Sequence, residues 1–430
     1  MITVIGAGLA GCEAAHQIAK RGISVRLIEM KPNKKSPAHS SDGFAELVCS
    51  NSLRAAGLSN AVGLLKEEMR RLDSVIMEAA DATKVPAGGS LAVNRKLFSN
   101  YVTEKIKNDP LITVEEGEVD TLDDIEGNVV VATGPLTSGG LYDELGRLTG
   151  NNLHFFDAAA PIVTAESINM DKVFFASRWG KGDDDYLNCP MTREEYDAFY
   201  NALINAECAE LSGFEDDNVF EGCLPVEVMA KRGYETLLYG PLKPVGIFDP
   251  VTDKRPFAVV QLRREDEEGT MFNLVGFQTH LKFPEQKRVF SLIPGLENLS
   301  IVRYGVMHRN TYINSPGILD RNYRLISDKR IFFAGQMTGV EGYVESAASG
   351  LYAGISAAMQ EKGEDMPYLS AKTAIGSLAQ YISCYSGGDF QPMNVNFGIM
   401  DPLPVRIRNK KEKNEKIAGI ALEEIDSFKR

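Results

Sequence analysis

Cys223 stands in the stretch F-E-G-C-L-P-V-E, between Gly222 and a Leu-Pro pair, with Glu227 close behind. Gly222 and Pro225 favour a rigid turn over the interior of an element. The thiol therefore has two readings, a small apolar filler or a nucleophile held out on a turn. Cys49 stands in E-L-V-C-S-N-S-L-R. Leu47, Val48 and Leu53 suit a buried thiol, which is common for free cysteine. Ser50, Asn51, Ser52 and Arg54 instead make a polar turn that would favour a thiolate or hold a ligand, and this functional reading leads. His308, beside Arg309 in V-M-H-R-N-T-Y, and His280, in G-F-Q-T-H-L-K, are the histidines that stand out. Each also reads as a hydrogen-bonded boundary residue, and that reading leads for His280. Cys12 and Cys208 fall in helical patterns and read as packed. Cys189 and Cys384 have no evident partner. With no C-x-x-C pair and no ligand-like histidine spacing, no metal is expected.

Such groups need elements to hold them. The apolar run Ile2 to Ile5 is followed by G-A-G-L-A-G, an amphipathic stretch from about Gly11 to Arg21, and a second apolar run from Ser24 ending at Glu29. This predicts a βαβ unit. Gly6 permits the tight turn, Gly8 lets a pyrophosphate approach the backbone, and Gly11 lets helix and strand pack closely. Ala7, Leu9 and Ala10 complete the loop, whose helix start faces the anion. Glu29 suits a ribose hydroxyl pair and disfavours a 2′-phosphate there. Two later strands, Val129 to Gly134 and Ile331 to Gly339, end in A-T-G and A-G-Q. Gly134, Gly335 and Gln336, with the small-residue helix from Gly342 to Gly354, complete a flavoprotein pattern, so FAD is the expected cofactor.

The stretch from about Ala160 to Leu299 alternates aromatics, acids and turn residues without the βαβ rhythm, and predicts an inserted mixed α/β substrate domain. The expected fold is thus α/β: a Rossmann-like FAD-binding domain of the glutathione-reductase-like type over residues 1–159 and 300–430, with a substrate domain over 160–299. The run from Arg406 to Lys416 predicts a helix of mixed charge, normally a solvated face. At 430 residues, with 44% hydrophobic and 24% charged content, the composition is that of a globular protein. No run approaches the roughly 18 apolar residues that span a bilayer. The N-terminus reads as a first strand, not a signal peptide, and reduced thiols and a cytoplasmic location are expected. A net charge of −13 argues against whole-surface attraction to nucleic acid and leaves room for a local basic patch.

Six motifs carry a family resemblance. G-A-G-L-A-G-C-E-A-A, L-V-C-S-N-S-L-R, F-E-G-C-L-P-V-E, H-R-N-T-Y-I-N-S-P, F-A-G-Q-M-T-G-V-E-G-Y-V-E-S-A-A-S-G and F-Q-P-M-N-V-N-F-G resemble the folate- and FAD-dependent tRNA (uracil-5-)-methyltransferases, essentially end to end. The resemblance implies formation of 5-methyluridine at position 54 in the tRNA T-loop. The one-carbon unit would come from 5,10-methylenetetrahydrofolate and the hydride from NAD(P)H, with FAD as cofactor. It places the nucleophile at Cys223, a second functional cysteine at Cys49 and a flavin-side tyrosine at Tyr343. Which cysteine is nucleophile and which is base stays open. The partners implied are tRNA and small cosubstrates, with no membrane and no obligatory protein partner. Arg54, His280, His308 and Arg309 are candidates for folate or RNA contact. Lys66, Arg70, Arg71, Lys282, Arg288 and the Arg406 to Lys416 run are candidates for phosphate contact. The alternatives are the same chemistry on a ribosomal RNA uridine, the related wobble-uridine carboxymethylaminomethyl flavoproteins, and a non-catalytic flavin-bearing RNA-binding protein. The wobble family carries a long C-terminal helical domain that has no counterpart in these 430 residues.

Overall fold

The computed structural model describes residues 1–150, 153–180, 183–209, 224–366, 368–388 and 390–429; at 153–157, 308 and 309 it describes the backbone alone. Cys223 and the side chains of His308 and Arg309 lie outside the described residues.

Five parallel strands form the first sheet, in the order Ile331–Phe333, Val129–Val131, Ile2–Ile5, Val25–Glu29, Ile112–Glu116. The three central strands of this order are almost wholly apolar and buried, as a sheet covered on both faces requires. The crossover helix Leu9–Lys20 starts two residues earlier than the sequence pattern suggests, because Gly8 itself is its N-cap. It packs on the long helix Tyr343–Lys362 through small residues. A Cβ on Gly350 would stand 2.1 Å from the Ala10 carbonyl oxygen, and one on Gly354 would stand 2.7 Å from that of Ala14. Only glycine allows the two backbones this close.

A six-stranded sheet, antiparallel throughout, carries the second core. Its order is Phe174–Phe175, Tyr186–Met191, Ala258–Arg264, Met271–Leu274, Ile162–Thr164, Ile301–Arg303. Tyr196, Phe199, Phe277 and Phe290 fill it, supplied in part by the helices Arg193–Ile204 and Phe283–Phe290. Two smaller sheets join the parts: Leu153–Ala158 with Met307–Tyr312, and Ser52–Ala55 with Ser90–Val93 and Lys84–Val85. The C-terminal helix runs Lys410–Phe428, not Arg406 to Lys416. The Asn409 side chain caps it, accepting from the amides of Lys411 and Glu412, so the basic residues before it stay outside. Among the described residues no helix is long and apolar enough to cross a membrane.

Candidate active site

Parallel strands in register end at one edge. Ile5 and Phe333 both pair with Val131, so the turns beginning at Gly6, Ala132 and Ala334 gather at the carboxyl end of the sheet. A cleft of about 1210 Å³, counting its open mouth, lies along that edge. Gly6 holds φ +95°, and a Cβ there would stand 2.7 Å from the Ala132 oxygen; one on Gly11 would strike the Gly6 oxygen at 1.8 Å. Gly8 differs. A Cβ on it meets nothing within 4 Å, so its missing side chain is open space beside the helix start. Glu29 is buried, and its carboxylate accepts from the amides of Ala7 (2.6 Å) and Lys31 (3.0 Å). These bonds point the carboxylate along the cleft wall and leave it lone pairs for a sugar hydroxyl.

Of the dinucleotide candidates, Gly6, Gly8, Leu9, Ala10, Glu29, Gly134, Gly335, Gln336 and Tyr343 line the cleft. Ala7 and Gly11 stand behind them, the first on Glu29 and the second against Gly6. Gln336 is steadied by Glu341. The Gly335 amide donates to Ser349 Oγ at 2.7 Å. The open Gly8, the acidic wall and the helix starts at one edge fit an adenine dinucleotide. Met30, Ser36, His39, Glu46 and Val48 also line the cleft; sequence reading missed them because they sit in a long loop without periodicity.

The far end of the cleft meets the Cys49 loop. The Tyr343 hydroxyl oxygen accepts from the amides of Cys49 (2.5 Å) and Ser50 (3.2 Å). Burial, reinforced by the nearby Cys49 sulfur, pushes the Tyr343 phenol well above its ordinary pKa, so it stays neutral. The Cys49 sulfur lies 3.7 Å from the Ala158 carbonyl. Three arginines hold the loop. Arg95 donates to the carbonyls of Leu47 (2.7 Å) and Cys49 (3.0 Å) and pairs with Glu265 at 2.5 Å. Arg263 donates to Asn51 Oδ1 (2.9 Å) and Ser50 Oγ (2.7 Å), and Arg303 donates to the Val48 carbonyl. Burial works against the Arg95 charge, but Glu265 overcomes it and the pKa rises. Burial lowers the pKa of both Arg263 and Arg303. None of the three was singled out from the sequence. The signal for Arg263 was there: the strand A-V-V-Q-L-R-R buries Gln261 and Arg263 at alternate positions, which is unusual for a core face.

The other candidates are placed differently. Arg54 pairs with the buried Glu345 beside the start of the long helix. His280 is buried against Glu227, 2.6 Å from Nδ1 to the carboxylate, and is not a surface residue. Burial opposes its charge, yet Cys208 and Glu227 outweigh it and raise its pKa to about 9. The fold brings Cys208, Glu227 and His280 within 4.8 Å of one another, three donors far apart in sequence that spacing could not reveal. Glu227 already accepts from Thr279 Oγ1 and the His280 amide, so the cluster reads as a satisfied ion pair. Lys66 is excluded as a phosphate contact. Its buried ammonium donates to the carbonyls of Leu53 and Ala55, both at 2.7 Å, and burial lowers its pKa to about 7. Arg70, Arg71, Lys282 and Arg288 are surface residues paired with Asp81, Asp426, Glu207 and Glu285.

A family profile described as "GIDA: Glucose inhibited division protein A" matches residues 1–365. A methylenetetrahydrofolate--tRNA-(uracil-5-)-methyltransferase TrmFO from Acetivibrio thermocellus is 62% identical over 99% of this chain and 98% of its own. The enzyme of the same name from Bacillus subtilis is 59% identical with the same coverage. The chain belongs to this methyltransferase family. Like its relatives in the tRNA (uracil-5-)-methyltransferase family, it is an enzyme. Its fold is that of Aquifex aeolicus GidA, with a TM-score of 0.71 at 17% identity over 99% of this chain and 73% of the other.

Proposed function

We propose that the protein methylates carbon 5 of a uridine in the T-loop of tRNA, position 54. The carbon would come from 5,10-methylenetetrahydrofolate and the reducing equivalents from NAD(P)H, through FAD held in the cleft. The observation that carries this reading is the continuity of the cleft, from the open Gly8 and Glu29 at one end to the Tyr343-anchored Cys49 loop at the other. The names of the relatives support the one-carbon donor and the tRNA substrate. We divide the chain accordingly into a dinucleotide-binding part, residues 1–159 and 300–430, and a substrate part, residues 160–299.

The helix starting at Leu9 binds the pyrophosphate, and Glu29 accepts from the ribose. When bound, FAD supplies the redox chemistry that converts a methylene to a methyl group. Carbon 5 of uracil is a poor nucleophile. Thiolate addition to carbon 6 moves the ring π pair toward carbon 5 and oxygen 4, making an enolate that attacks the one-carbon unit. We assign that thiolate to Cys223. Cys49 then takes the carbon 5 proton, and the freed pair expels the carrier nitrogen to leave an exocyclic methylene on carbon 5; the reducing equivalents arrive as hydride on that methylene, the displaced pair re-forms the 5,6 bond, and the Cys223 sulfur leaves. The target base is splayed out of its loop to reach the cleft. Arg309 and His308 are assigned to the folate or RNA side.

Nucleoside mapping of unmodified tRNA transcript after reaction with methylenetetrahydrofolate and NAD(P)H tests the site. Modification at the T-loop uridine is expected. Modification confined to ribosomal RNA or to a wobble uridine would overturn the substrate assignment.

A further inference from the structure

Cys208, Glu227 and His280 bring a thiol, a carboxylate and an imidazole to one place beside the second core, and none of the three lines the cleft. Their donor atoms all lie within 4.8 Å of one another, and no other three such side chains among the described residues converge in this way. Separate elements supply them. A bridge between Cys208 and Leu281 sets the Cys208 backbone beside His280, and the Ala209 amide donates to the His280 carbonyl at 2.8 Å. Glu227 stands in the first turn of the helix Val226–Lys231, whose Val226 amide donates to the Gln278 carbonyl at 2.7 Å. Glu227 is fully buried, His280 is 6% exposed and Cys208 is half-buried.

This donor set suits a borderline-soft dication. Thiolate, imidazole and carboxylate are ligands that zinc takes, and three protein ligands with a water in the fourth position is one of its ordinary shells. The charge suits burial as well. One thiolate and one carboxylate balance a dication and a neutral imidazole adds nothing, so the cluster stays uncharged. The contacts around the carboxylate are those that orient a ligand. Thr279 Oγ1 donates to one Glu227 oxygen at 2.7 Å and the His280 amide donates to the other at 2.8 Å. Each oxygen keeps a lone pair for a further partner.

The distances are close to what zinc needs. Tetrahedral ligands at bond lengths of about 2.0–2.3 Å stand about 3.4–3.6 Å apart. His280 Nδ1 lies 2.6 Å from Glu227 Oε1, across the shared proton. An ion in place of that proton opens the pair by less than about 1 Å and draws the sulfur in by at most about 1.2 Å, within the reach of side-chain torsions. Binding releases the imidazole proton and takes the sulfur as thiolate. Proton and metal are thus alternative occupants of one place, and the ion pair is the state that holds the three side chains ready.

We propose that Cys208, Glu227 and His280 form a zinc site, with Thr279 orienting the carboxylate and a water completing the shell. The ion clasps the Cys208 segment and the helix Val226–Lys231 to the stretch Gln278 to Leu281. The site is independent of the methyl-transfer reading, because none of its residues has a part in that reaction.

The test is titration of the flavin-loaded, chelator-treated protein with cobalt(II), followed by displacement with zinc(II). Cys208→Ser is treated identically; it removes the sulfur and leaves the His280–Glu227 pair in place. The parent is expected to bind one equivalent, with the visible bands of four-coordinate cobalt and a thiolate-to-cobalt charge-transfer band, both abolished by zinc. Cys208→Ser is expected to lack the charge-transfer band and to bind at least about tenfold more weakly. Thr279→Val is expected to keep the band and weaken binding by roughly tenfold to a hundredfold. Zinc should raise the thermal midpoint of the parent more than that of Cys208→Ser. Flavin content reports whether each variant is folded. A parent without the thiolate band, a band that survives in Cys208→Ser, or equal affinities in the two proteins would overturn the proposal.

Discussion

At the scale of single residues, the cleft is specified by a few groups whose orientation is fixed by backbone hydrogen bonds. Glu29 accepts two backbone amides, so Glu29→Gln turns one acceptor into a donor facing a donor. The expected loss is about 1–3 kcal/mol, or roughly fivefold to 150-fold in flavin affinity, checked by flavin retention on dilution. Tyr343→Phe removes the acceptor for the Cys49 and Ser50 amides and should cut methyl transfer while leaving the fold intact, checked by single-turnover rates against thermal unfolding. The His280–Glu227 pair makes a pH prediction. The folded pKa of His280, about 9, lies above the ordinary value of 6.5. The folded state therefore holds this proton more tightly, and the stabilisation is complete below about 6.5 and lost as pH rises through 9. The stability difference between the parent and His280→Gln should shrink across that window, by up to about 3 kcal/mol. A difference independent of pH would remove the ion pair from the account.

At the scale of elements, two glycines separate packing from binding. Gly350 lies where two helix backbones touch, so Gly350→Ala should lower the thermal midpoint of the whole protein, at a cost of about 1–3 kcal/mol for overpacking. A Cβ on Gly8 meets open space, so Gly8→Ala should leave apoprotein stability unchanged and weaken flavin retention. Equal effects on stability would contradict this division. The same elements explain what could be read from the sequence. The βαβ opening was legible because glycine spacing, helical period and a strand-end acid are all local. Arg95, Arg263 and Arg303 converge on one loop from three distant elements, and nothing local marks that convergence. Lys66 read as a surface charge, yet the strand Ser52–Ala55 turns its Leu53 and Ala55 carbonyls onto it. His280 read as a boundary residue for the same reason, since its partners Glu227 and Cys208 are brought to it only by the tertiary fold.

At the scale of the whole molecule, the acidic net charge and the proposed polyanionic substrate must be reconciled by local basic surface. Lys282 and Arg288 lie beside the helix Phe283–Phe290 or within it, each paired to an exposed or partly exposed acid that a phosphate could displace. Replacing both by alanine should lower the slope of log affinity for tRNA against log salt by about 2, with flavin content unchanged. An unaltered slope would place the RNA surface elsewhere. The central claim, transfer of a folate carbon to uracil, is tested most directly by isotope. The flavin-loaded protein is incubated with unmodified tRNA transcript, NAD(P)H and methylenetetrahydrofolate labelled at the methylene carbon, and the nucleosides are weighed by mass spectrometry. The account predicts labelled 5-methyluridine with the parent and none with Cys223→Ser. Label absent from every pyrimidine with the parent protein would contradict it.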